Sequence, residues 1–175
     1  MRLFIAINFS EKIKNQILEL QEQLRSQSSK GNFTKPANFH ITLAFLGETP
    51  EEKIESICRI IDDIQITGFE LCFNHTGCFT HSRKELWWVG ADPKSPGLSI
   101  LASIQGQLID RLLKAGFSVD TRPFRAHITL GREIKHPSPI YLSPPRIIVN
   151  VRSISLMKSD HVSGGMRYTD MYTKL

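Results

Sequence analysis

Hydrophobic and polar residues alternate in several short runs of the chain, and each such run predicts a β-strand. Two of these runs, residues 39–46 and 126–131, contain the same tetrapeptide, as His40-Ile41-Thr42-Leu43 and as His127-Ile128-Thr129-Leu130. Successive side chains of a strand point to opposite faces, so the isoleucine and leucine of each copy are expected on one face, with Phe45 beyond the first copy. The histidine and threonine of each copy are expected together on the other face. Each strand therefore has one face for packing and one that carries an imidazole and a hydroxyl.

The rest of the chain predicts further strands and three helices. A first strand is expected over residues 2–9, followed by a helix that Ser10 caps. Thr49 is expected to cap the second helix, because a proline and two glutamates follow it. The third helix is expected to run from Leu98 and to end at Gly116. The remaining predicted elements are strands over residues 69–73, 85–91, 146–157 and 167–175 and a proline-rich loop over 136–145.

The order of these elements is a rough internal duplication, in which each half contains a helix, the repeated tetrapeptide and flanking strands. It predicts an α+β protein made of one domain, residues 1–175, with two pseudo-symmetric lobes. Each lobe is expected to be an antiparallel sheet with outer helices, and the lobes are expected to enclose a central cleft. The turn-forming residues 92–97 are the expected boundary between the lobes.

Composition places the chain among soluble globular proteins. Of its 175 residues, 41% are hydrophobic and 22% are charged, which argues against disorder. The longest apolar runs have the length of strands, so no transmembrane helix is expected, and the N-terminus lacks the pattern of a secretory signal. The three cysteines, Cys58, Cys72 and Cys78, lack the spacing of a metal site and are expected to be reduced thiols. A cytoplasmic monomer is the expected state.

The net charge of the chain is positive. It amounts to +5 at pH 7, and the sequence pI is about 9.2. Such a balance favours polyanionic partners through neutralisation of phosphates. It agrees with a nucleic-acid substrate but does not require one.

Two histidines on facing strands suit acid–base chemistry at phosphorus. In-line displacement needs a base on the attacking side and an acid on the leaving side, and imidazoles with an ordinary pKa of about 6.5 can fill both roles near neutral pH. The threonine two residues after each histidine places a hydroxyl beside the phosphate oxygens. His40, His127, Thr42 and Thr129 are therefore the candidate catalytic residues, in a scheme that uses no metal and no cofactor.

Simpler interpretations of the two histidines explain the sequence less well. A single His-x-Thr in a strand is most often only a polar face, but a second identical copy in the same context is poorly explained in that way. A zinc site built on His40 and His127 lacks a third ligand at metal-site spacing. The other four histidines lie in turn-like stretches and are expected to be solvated; they are His75, His81, His136 and His161.

The repeated tetrapeptides and their surroundings resemble the two-histidine phosphoesterase superfamily. More narrowly, the chain resembles the bacterial and archaeal RNA 2′,3′-cyclic phosphodiesterases, long called 2′-5′ RNA ligases. The similarity covers nearly the whole chain, although Ala126 and Gly131 replace the proline and alanine that the family usually has. The stretches that carry it are residues 2–7, 38–47, 86–90, 124–132 and 155–159, with Gly165 and Tyr168.

This resemblance implies hydrolysis of a 2′,3′-cyclic phosphate at an RNA end to a 2′-phosphomonoester, as a step of RNA processing with tRNA fragments among the candidate substrates. It implies that His40 donates a proton to the leaving 3′ oxygen and that His127 activates water; the residues alone leave open which histidine has which role. With a 5′-hydroxyl end in place of water, the reverse reaction would form a 2′-5′ linkage without ATP. Candidate substrate-binding residues are Arg125, Arg132, Lys158 and Tyr168.

Arg125 shares the face of His127, whereas strict alternation turns Arg132 away unless the strand ends or bulges before it. Lys158 and Tyr168 match positions of the family. Two alternative functions stay open: a phosphodiesterase for small cyclic nucleotides or 2′-5′ oligoadenylates, and a non-catalytic RNA-binding module.

Overall fold

The alternating runs of the sequence form strands in the computed structural model, which describes all 175 residues. Nine strands and three α-helices are present, together with two 3₁₀ turns, Pro36–Asn38 and Glu51–Lys53. The strands are β1 (Arg2–Asn8), β2 (Lys30–Phe33), β3 (His40–Glu48), β4 (Phe69–His81), β5 (Lys84–Ala91), β6 (His127–Lys135), β7 (Ile147–Val151), β8 (Ile154–Val162) and β9 (Gly165–Lys174). The helices are α1 (Glu11–Ser26), α2 (Ile54–Asp62) and α3 (Pro96–Lys114).

All strands pair in antiparallel fashion, in the order β7-β4-β5-β6-β3-β1-β8-β9, and β2 pairs with β6. One half consists of β7, β4, β5, β6 and β2, and the other of β3, β1, β8 and β9. The halves are joined through one residue pair, Ile41 opposite Ile128, in the middle of the two tetrapeptides. The predicted α+β architecture with two antiparallel halves is confirmed, and its two histidine strands are neighbours at the junction.

The predicted lobe boundary at residues 92–97 is wrong. β4 and β5 precede this turn, yet they pair with β7 and β6, which follow it, while β1 pairs with β8. Each half of the sheet therefore takes strands from both halves of the chain, because long-range antiparallel pairing decides the partners. The turn itself leads into α3.

The three helices cover one face of the sheet. Ser10 caps α1 as predicted, its hydroxyl accepting from the backbone N–H of Ile13 at 3.5 Å. The apolar stripe of α1 is buried over β6 and β7, α3 lies over β3 and β4, and α2 lies beside α3 and β8. None of the helices is long and apolar enough to cross a membrane. The opposite face of the sheet carries the histidines.

Several predicted element ends differ from the structure. Thr49 does not cap α2, because it is buried and its hydroxyl donates to the Gly47 carbonyl, and α2 begins only at Ile54. The short strand β2 was not predicted, and it forms because its backbone pairs with the edge of β6. Gly116 follows the end of α3 with a φ of +80°, as predicted for a glycine after a helix.

Replacing two glycines of α3 by alanine should have opposite effects on the free energy of unfolding. A Cβ added at Gly97 would lie 1.9 Å from the Glu70 carbonyl oxygen of β4, whereas a Cβ at Gly106 meets no atom within 4 Å. We expect Gly97→Ala to lower the free energy of unfolding by about 2 kcal/mol or more, because helix and strand must separate. Gly106→Ala is the matched control and is expected to raise it by about 0.5–1 kcal/mol. Urea unfolding measures both, and equal effects would contradict the proposed close packing of helix on strand.

Candidate active site

The pairing of Ile41 with Ile128 fixes how the two tetrapeptides face each other. In this antiparallel register, His40 lies across from Thr129, and Thr42 lies across from His127. All four side chains are half-buried, and the isoleucines between them are fully buried on the helix-covered face. The structure therefore brings together the four candidate catalytic residues of the sequence analysis.

The histidine of each tetrapeptide is held by the same kind of hydrogen bond. The Nδ1 atom of His40 lies 2.7 Å from the Asn38 carbonyl oxygen, and the Nδ1 atom of His127 lies 2.7 Å from the Arg125 carbonyl oxygen. Because a carbonyl oxygen can only accept, Nδ1 carries the hydrogen in both rings. The Nε2 atoms are thus the ones free to exchange protons, and that of His40 lies 2.9 Å from the Thr42 hydroxyl.

Burial and nearby positive charge favour the neutral form of both imidazoles. Burial lowers the pKa of His40, and the charges of Arg132 and His127 lower it further, against the opposite effect of the Asn38 carbonyl. Burial also lowers the pKa of His127. The hydrogen bond to the Arg125 carbonyl raises this pKa, and the positive charges of Arg132 and Arg125 lower it further. Arg132 therefore influences both rings. A bound phosphate anion between the rings would favour their protonation.

A bulge in β6 is what turns Arg132 towards the histidines. Thr129 pairs with Trp88 and Gly131 pairs with Trp87, so Leu130 is an extra residue without a partner on β5. Leu130 and Gly131 are both buried, and Arg132 emerges exposed on the histidine face. Arg132 was expected at the site only if the strand ended or bulged before it, and this bulge is present.

β3 contains the same bulge at the equivalent position. Thr42 pairs with Ala6 and Ala44 pairs with Ile5, so Leu43 is the extra residue. The predicted alternation fails here for the same reason as in β6, and Phe45 does not share the face of Leu43. It is 50% exposed on the histidine face, where its ring lies 6.0 Å from that of Phe4.

Aromatic rings surround His40 on its own half of the sheet. Tyr168, from β9, meets the His40 imidazole edge-on at a centroid distance of 5.3 Å, and Phe4 lies 5.0 Å from the same imidazole. Phe4 is buried and packs with Tyr168 at 4.9 Å. The predicted residue Tyr168 therefore lies beside the histidine, whereas Phe4 was not singled out from the sequence because it resembles an ordinary core residue of β1.

A second aromatic group surrounds His127. Phe79 lies 5.3 Å and Trp88 lies 6.3 Å from its imidazole, as ring centroids. The Trp88 ring crosses Gly77, where an added Cβ would lie 2.2 Å from it. The Arg125 guanidinium lies 5.7 Å from the centre of the Phe79 ring, so this predicted residue is also at the site. Phe79 was missed because its strand extends well beyond the predicted residues 69–73.

The strand register does not place Lys158, a predicted substrate-binding residue, beside the histidines. It pairs with Leu3 on β1 and with Thr169 on β9, so its side chain shares the buried face of Leu3. Tyr168 pairs with Ser159, the residue after Lys158 in β8, so Tyr168 lies on the face opposite to Lys158. The Lys158 ammonium forms an ion pair with Asp160 at 3.1 Å. It does not face the histidines.

The other four histidines do not lie in turns as a group, contrary to the prediction. His75 and His81 belong to the long strand β4, and His161 belongs to β8. His136 is not solvated but follows β6 with its Nε2 3.0 Å from the Glu85 carboxylate. That carboxylate also accepts from the Trp87 indole at 2.8 Å. No group of three His, Cys, Asp or Glu side chains is arranged so that it could hold a metal ion.

Comparisons with known proteins identify similar chains over nearly the full length. Residues 7–88 match the family model of the LigT-like phosphoesterases. The RNA 2′,3′-cyclic phosphodiesterase of Archaeoglobus fulgidus is 30% identical over 79% of this chain and 76% of its own length. The protein of the same name from Escherichia coli is 30% identical over 97% of this chain and 93% of its own length.

Solved structures give the same result for the fold. The crystal structure of Escherichia coli LigT complexed with 3′-AMP superposes with a TM-score of 0.86 at 28% identity, covering 99% of this chain and 96% of that chain. A crystal structure of a phosphoesterase superposes with a TM-score of 0.84, also at 28% identity, covering 99% of this chain and 96% of that one. The similarity therefore includes both histidine strands and the sheet that holds them.

Proposed function

This chain belongs to the LigT-like phosphoesterases, the family of the RNA 2′,3′-cyclic phosphodiesterases, and on that premise we propose that it hydrolyses the terminal 2′,3′-cyclic phosphate of RNA to a 2′-phosphomonoester. The observation that carries the proposal is the arrangement of two imidazoles on neighbouring strands, each with its Nδ1 bound to a carbonyl and its Nε2 available. Such a pair supplies one base and one acid to one phosphorus atom.

The proposed reaction is a single in-line displacement. The Nε2 atom of neutral His127 takes a proton from water as the water oxygen bonds to phosphorus. The bond from phosphorus to the 3′ oxygen breaks, and protonated His40 donates its Nε2 proton to that oxygen. The products are a 3′-hydroxyl and a 2′-phosphomonoester, and neither a metal nor a nucleotide is consumed. The family resemblance, rather than the geometry, assigns the acid to His40.

The residues around the histidines have distinct proposed roles. Thr42 and Thr129 donate hydroxyl hydrogen bonds to the non-bridging oxygens, on which negative charge increases during the displacement. Arg132 stabilises the same charge, and Arg125 extends the positive region towards the RNA backbone. Tyr168 beside His40 and the exposed Phe45 beside Phe4 present aromatic surface on this half of the site, which suits a stacked base of the terminal nucleotide.

Two finer possibilities follow from the same site. Run in reverse with a 5′-hydroxyl end in place of water, the reaction would join RNA through a 2′-5′ linkage, and hydrolysis should dominate because water is far more concentrated. A cyclic mononucleotide would fit the same catalytic groups. Comparing kcat/KM for a cyclic mononucleotide and for an oligoribonucleotide end decides which substrate class is preferred.

The decisive experiment uses a short RNA that ends in a 2′,3′-cyclic phosphate. The purified protein is expected to convert it to a 2′-phosphate, identified by resistance to an enzyme that removes only 3′-phosphates. A 3′-phosphate product would reverse the assignment of the leaving oxygen. An unchanged cyclic end would refute the proposed activity and would leave the non-catalytic RNA-binding alternative.

The pH dependence of kcat/KM is predicted by the electrostatics of the free site. Hydrolysis needs one neutral and one protonated imidazole, so kcat/KM should be bell-shaped. Because burial and the Arg132 charge lower both pKa values, the maximum should lie below about pH 6.5. The profile of kcat should lie at higher pH, because the bound phosphate anion raises both pKa values. Loss of activity in EDTA, or a maximum of kcat/KM above pH 8, would contradict this scheme.

A further inference from the structure

The two bulges in the histidine strands receive the same kind of contact from the helices above them. In each bulge the extra residue is a leucine, Leu43 in β3 and Leu130 in β6. A glutamine side chain of a covering helix donates a hydrogen bond to the carbonyl of each of these leucines: Gln105 of α3 to Leu43, and Gln21 of α1 to Leu130. The two contacts occupy equivalent positions in the two halves of the sheet.

The contact at Leu130 is fully buried. The Gln21 Nε2 atom donates to the Leu130 carbonyl at 2.6 Å and to the Thr34 carbonyl at 2.8 Å, so both of its hydrogens are used. The Thr34 backbone N–H also donates to the Leu130 carbonyl, at 3.0 Å. Gln21 is 0% exposed, and its own Oε1 has no hydrogen-bond partner. An apolar side chain would avoid the cost of burying the unpaired Oε1, so core packing alone does not explain a glutamine here.

The contact at Leu43 is the less buried counterpart. The Gln105 Nε2 atom donates to the Leu43 carbonyl at 3.3 Å from a half-buried position on α3. The two glutamines begin the same pattern, Gln-x-Gln-Leu, which is Gln21-Glu22-Gln23-Leu24 in α1 and Gln105-Gly106-Gln107-Leu108 in α3. The internal duplication therefore extends from the histidine strands to the helices, and each helix contacts the histidine strand of the other half of the chain.

Each bulge decides which side chain reaches the site. The extra leucine leaves two consecutive buried residues and returns the third to the histidine face, which places Arg132 there in β6 and Phe45 in β3. Without the bulge in β6, alternation would turn Arg132 towards the helices. We propose that Gln21 and Gln105 are positioning residues of the active site, which hold the bulges that aim Arg132 and Phe45 at the substrate. The catalytic part of this inference rests on the proposed function.

The first test uses the free protein and no RNA. Arg132 faces both imidazoles, Arg125 also faces His127, and Tyr168 borders His40. In Gln21→Met, which keeps the length of the side chain but donates no hydrogen bond, Arg132 should move away from the rings. NMR titration should then show a higher pKa for both imidazoles, in the same direction as in Arg132→Met. Unchanged pKa values in folded Gln21→Met would overturn the proposal.

The matched control is Gln23→Met, two residues further along the same helix. Gln23 hydrogen-bonds the backbone of Ser143 in a loop and contacts no bulge. The Gln23→Met substitution should leave the pKa values of both imidazoles unchanged. If it shifts them as much as Gln21→Met does, the effect belongs to the helix as a whole and the proposal is wrong.

The kinetic test is a double-mutant cycle on RNA with a cyclic phosphate end. Gln21→Met should lower kcat/KM about tenfold or more in the wild-type background and should have little further effect once Arg132 is replaced by methionine. Additive losses would overturn the proposal. Absence of hydrolysis by the wild-type protein would refute the proposed function. The positioning role of Gln21 would still be tested by the titration, because the titration needs no substrate.

Gln105→Met is the second variant, in case the buried change at Gln21 prevents folding. Gln105 is half-buried, so this variant should fold. We expect it to lower kcat/KM several-fold relative to Gln107→Met, an exposed glutamine of the same helix that contacts only Ser103. The loss should disappear in a Phe45→Ala background. Equal kcat/KM for Gln105→Met and Gln107→Met would overturn the role proposed for Gln105.

Discussion

Replacing either His40 or His127 by alanine should reduce kcat on RNA with a 2′,3′-cyclic phosphate end by about 10³-fold, within the range of 10²–10⁴ typical for loss of a general acid or base. In the proposed mechanism both imidazoles act in one displacement, so each variant should stop the same step from a different side. His40→Ala removes the proton for the departing oxygen, and His127→Ala leaves water without a base. Initial rates at saturating substrate measure the loss.

The two losses are expected to be far from additive. Once one imidazole is absent the concerted proton transfer has ended, and removing the second should cost little more. His40→Ala combined with His127→Ala should therefore retain nearly the same residual rate as either single variant, supplied by Arg132 and the threonines. A double variant slower by the product of the two single losses would show that the histidines act in separate steps.

The fold and an unrelated histidine provide the controls. Both catalytic rings are only half-buried on the open face of the sheet, so the variants should keep the wild-type circular dichroism spectrum. His81→Ala changes an exposed histidine at the end of β4 and should retain wild-type kcat. Wild-type activity in His40→Ala or His127→Ala would refute the acid–base mechanism.

The shared face of histidine and threonine in each tetrapeptide could be predicted from the sequence because it depends only on local periodicity. Histidine and threonine two residues apart in a strand necessarily share a face, and two identical copies suggest that the faces meet. Their meeting is confirmed by the pairing of Ile41 with Ile128. Local rules also placed α1 correctly, since Ser10 is a strong cap and the helical stripe is regular.

The bulges could not be predicted, because they depend on non-local pairing between strands. Leu43 and Leu130 continue the apolar alternation in sequence, so nothing local marks them as extra residues. Phe45 was accordingly assigned to the wrong face. The face taken by Lys158 could not be predicted either, because it depends on pairing with Leu3 of β1, more than a hundred residues away in the chain.

One overlooked signal was present in the sequence. The pattern Gln-x-Gln-Leu occurs as Gln21-Glu22-Gln23-Leu24 and as Gln105-Gly106-Gln107-Leu108, in the two helices that cover the histidine motifs. A polar residue repeated within the apolar stripe of two helices is costly to bury and therefore indicates a specific partner. Comparison of the two helices therefore predicts that Gln21 is a buried residue that forms specific hydrogen bonds.

Arg132→Met is expected to have the second large effect, a loss of about 10²–10³-fold in kcat/KM, the size seen when one group that stabilises developing oxyanion charge is removed. The guanidinium is the one charge that lowers the pKa of both His40 and His127. Its removal should therefore also move both limbs of the bell-shaped kcat/KM profile to higher pH, because kcat/KM reports the ionisations of the free protein.

Two further variants distinguish the effect of the Arg132 charge on kcat/KM and on the pH profile from the effect of its hydrogen-bond geometry and from the effect of losing any surface arginine. Arg132→Lys keeps the positive charge but loses the paired donors, so kcat/KM should fall by less and both limbs of the profile should stay in place. Arg59→Met removes an exposed arginine of α2 that pairs with Glu55 on the helix-covered side of the molecule, and it should alter neither quantity. A pH profile that stays unchanged in Arg132→Met would show that the bulge in β6 does not hold this charge beside the imidazoles, and it would remove Arg132 from the site.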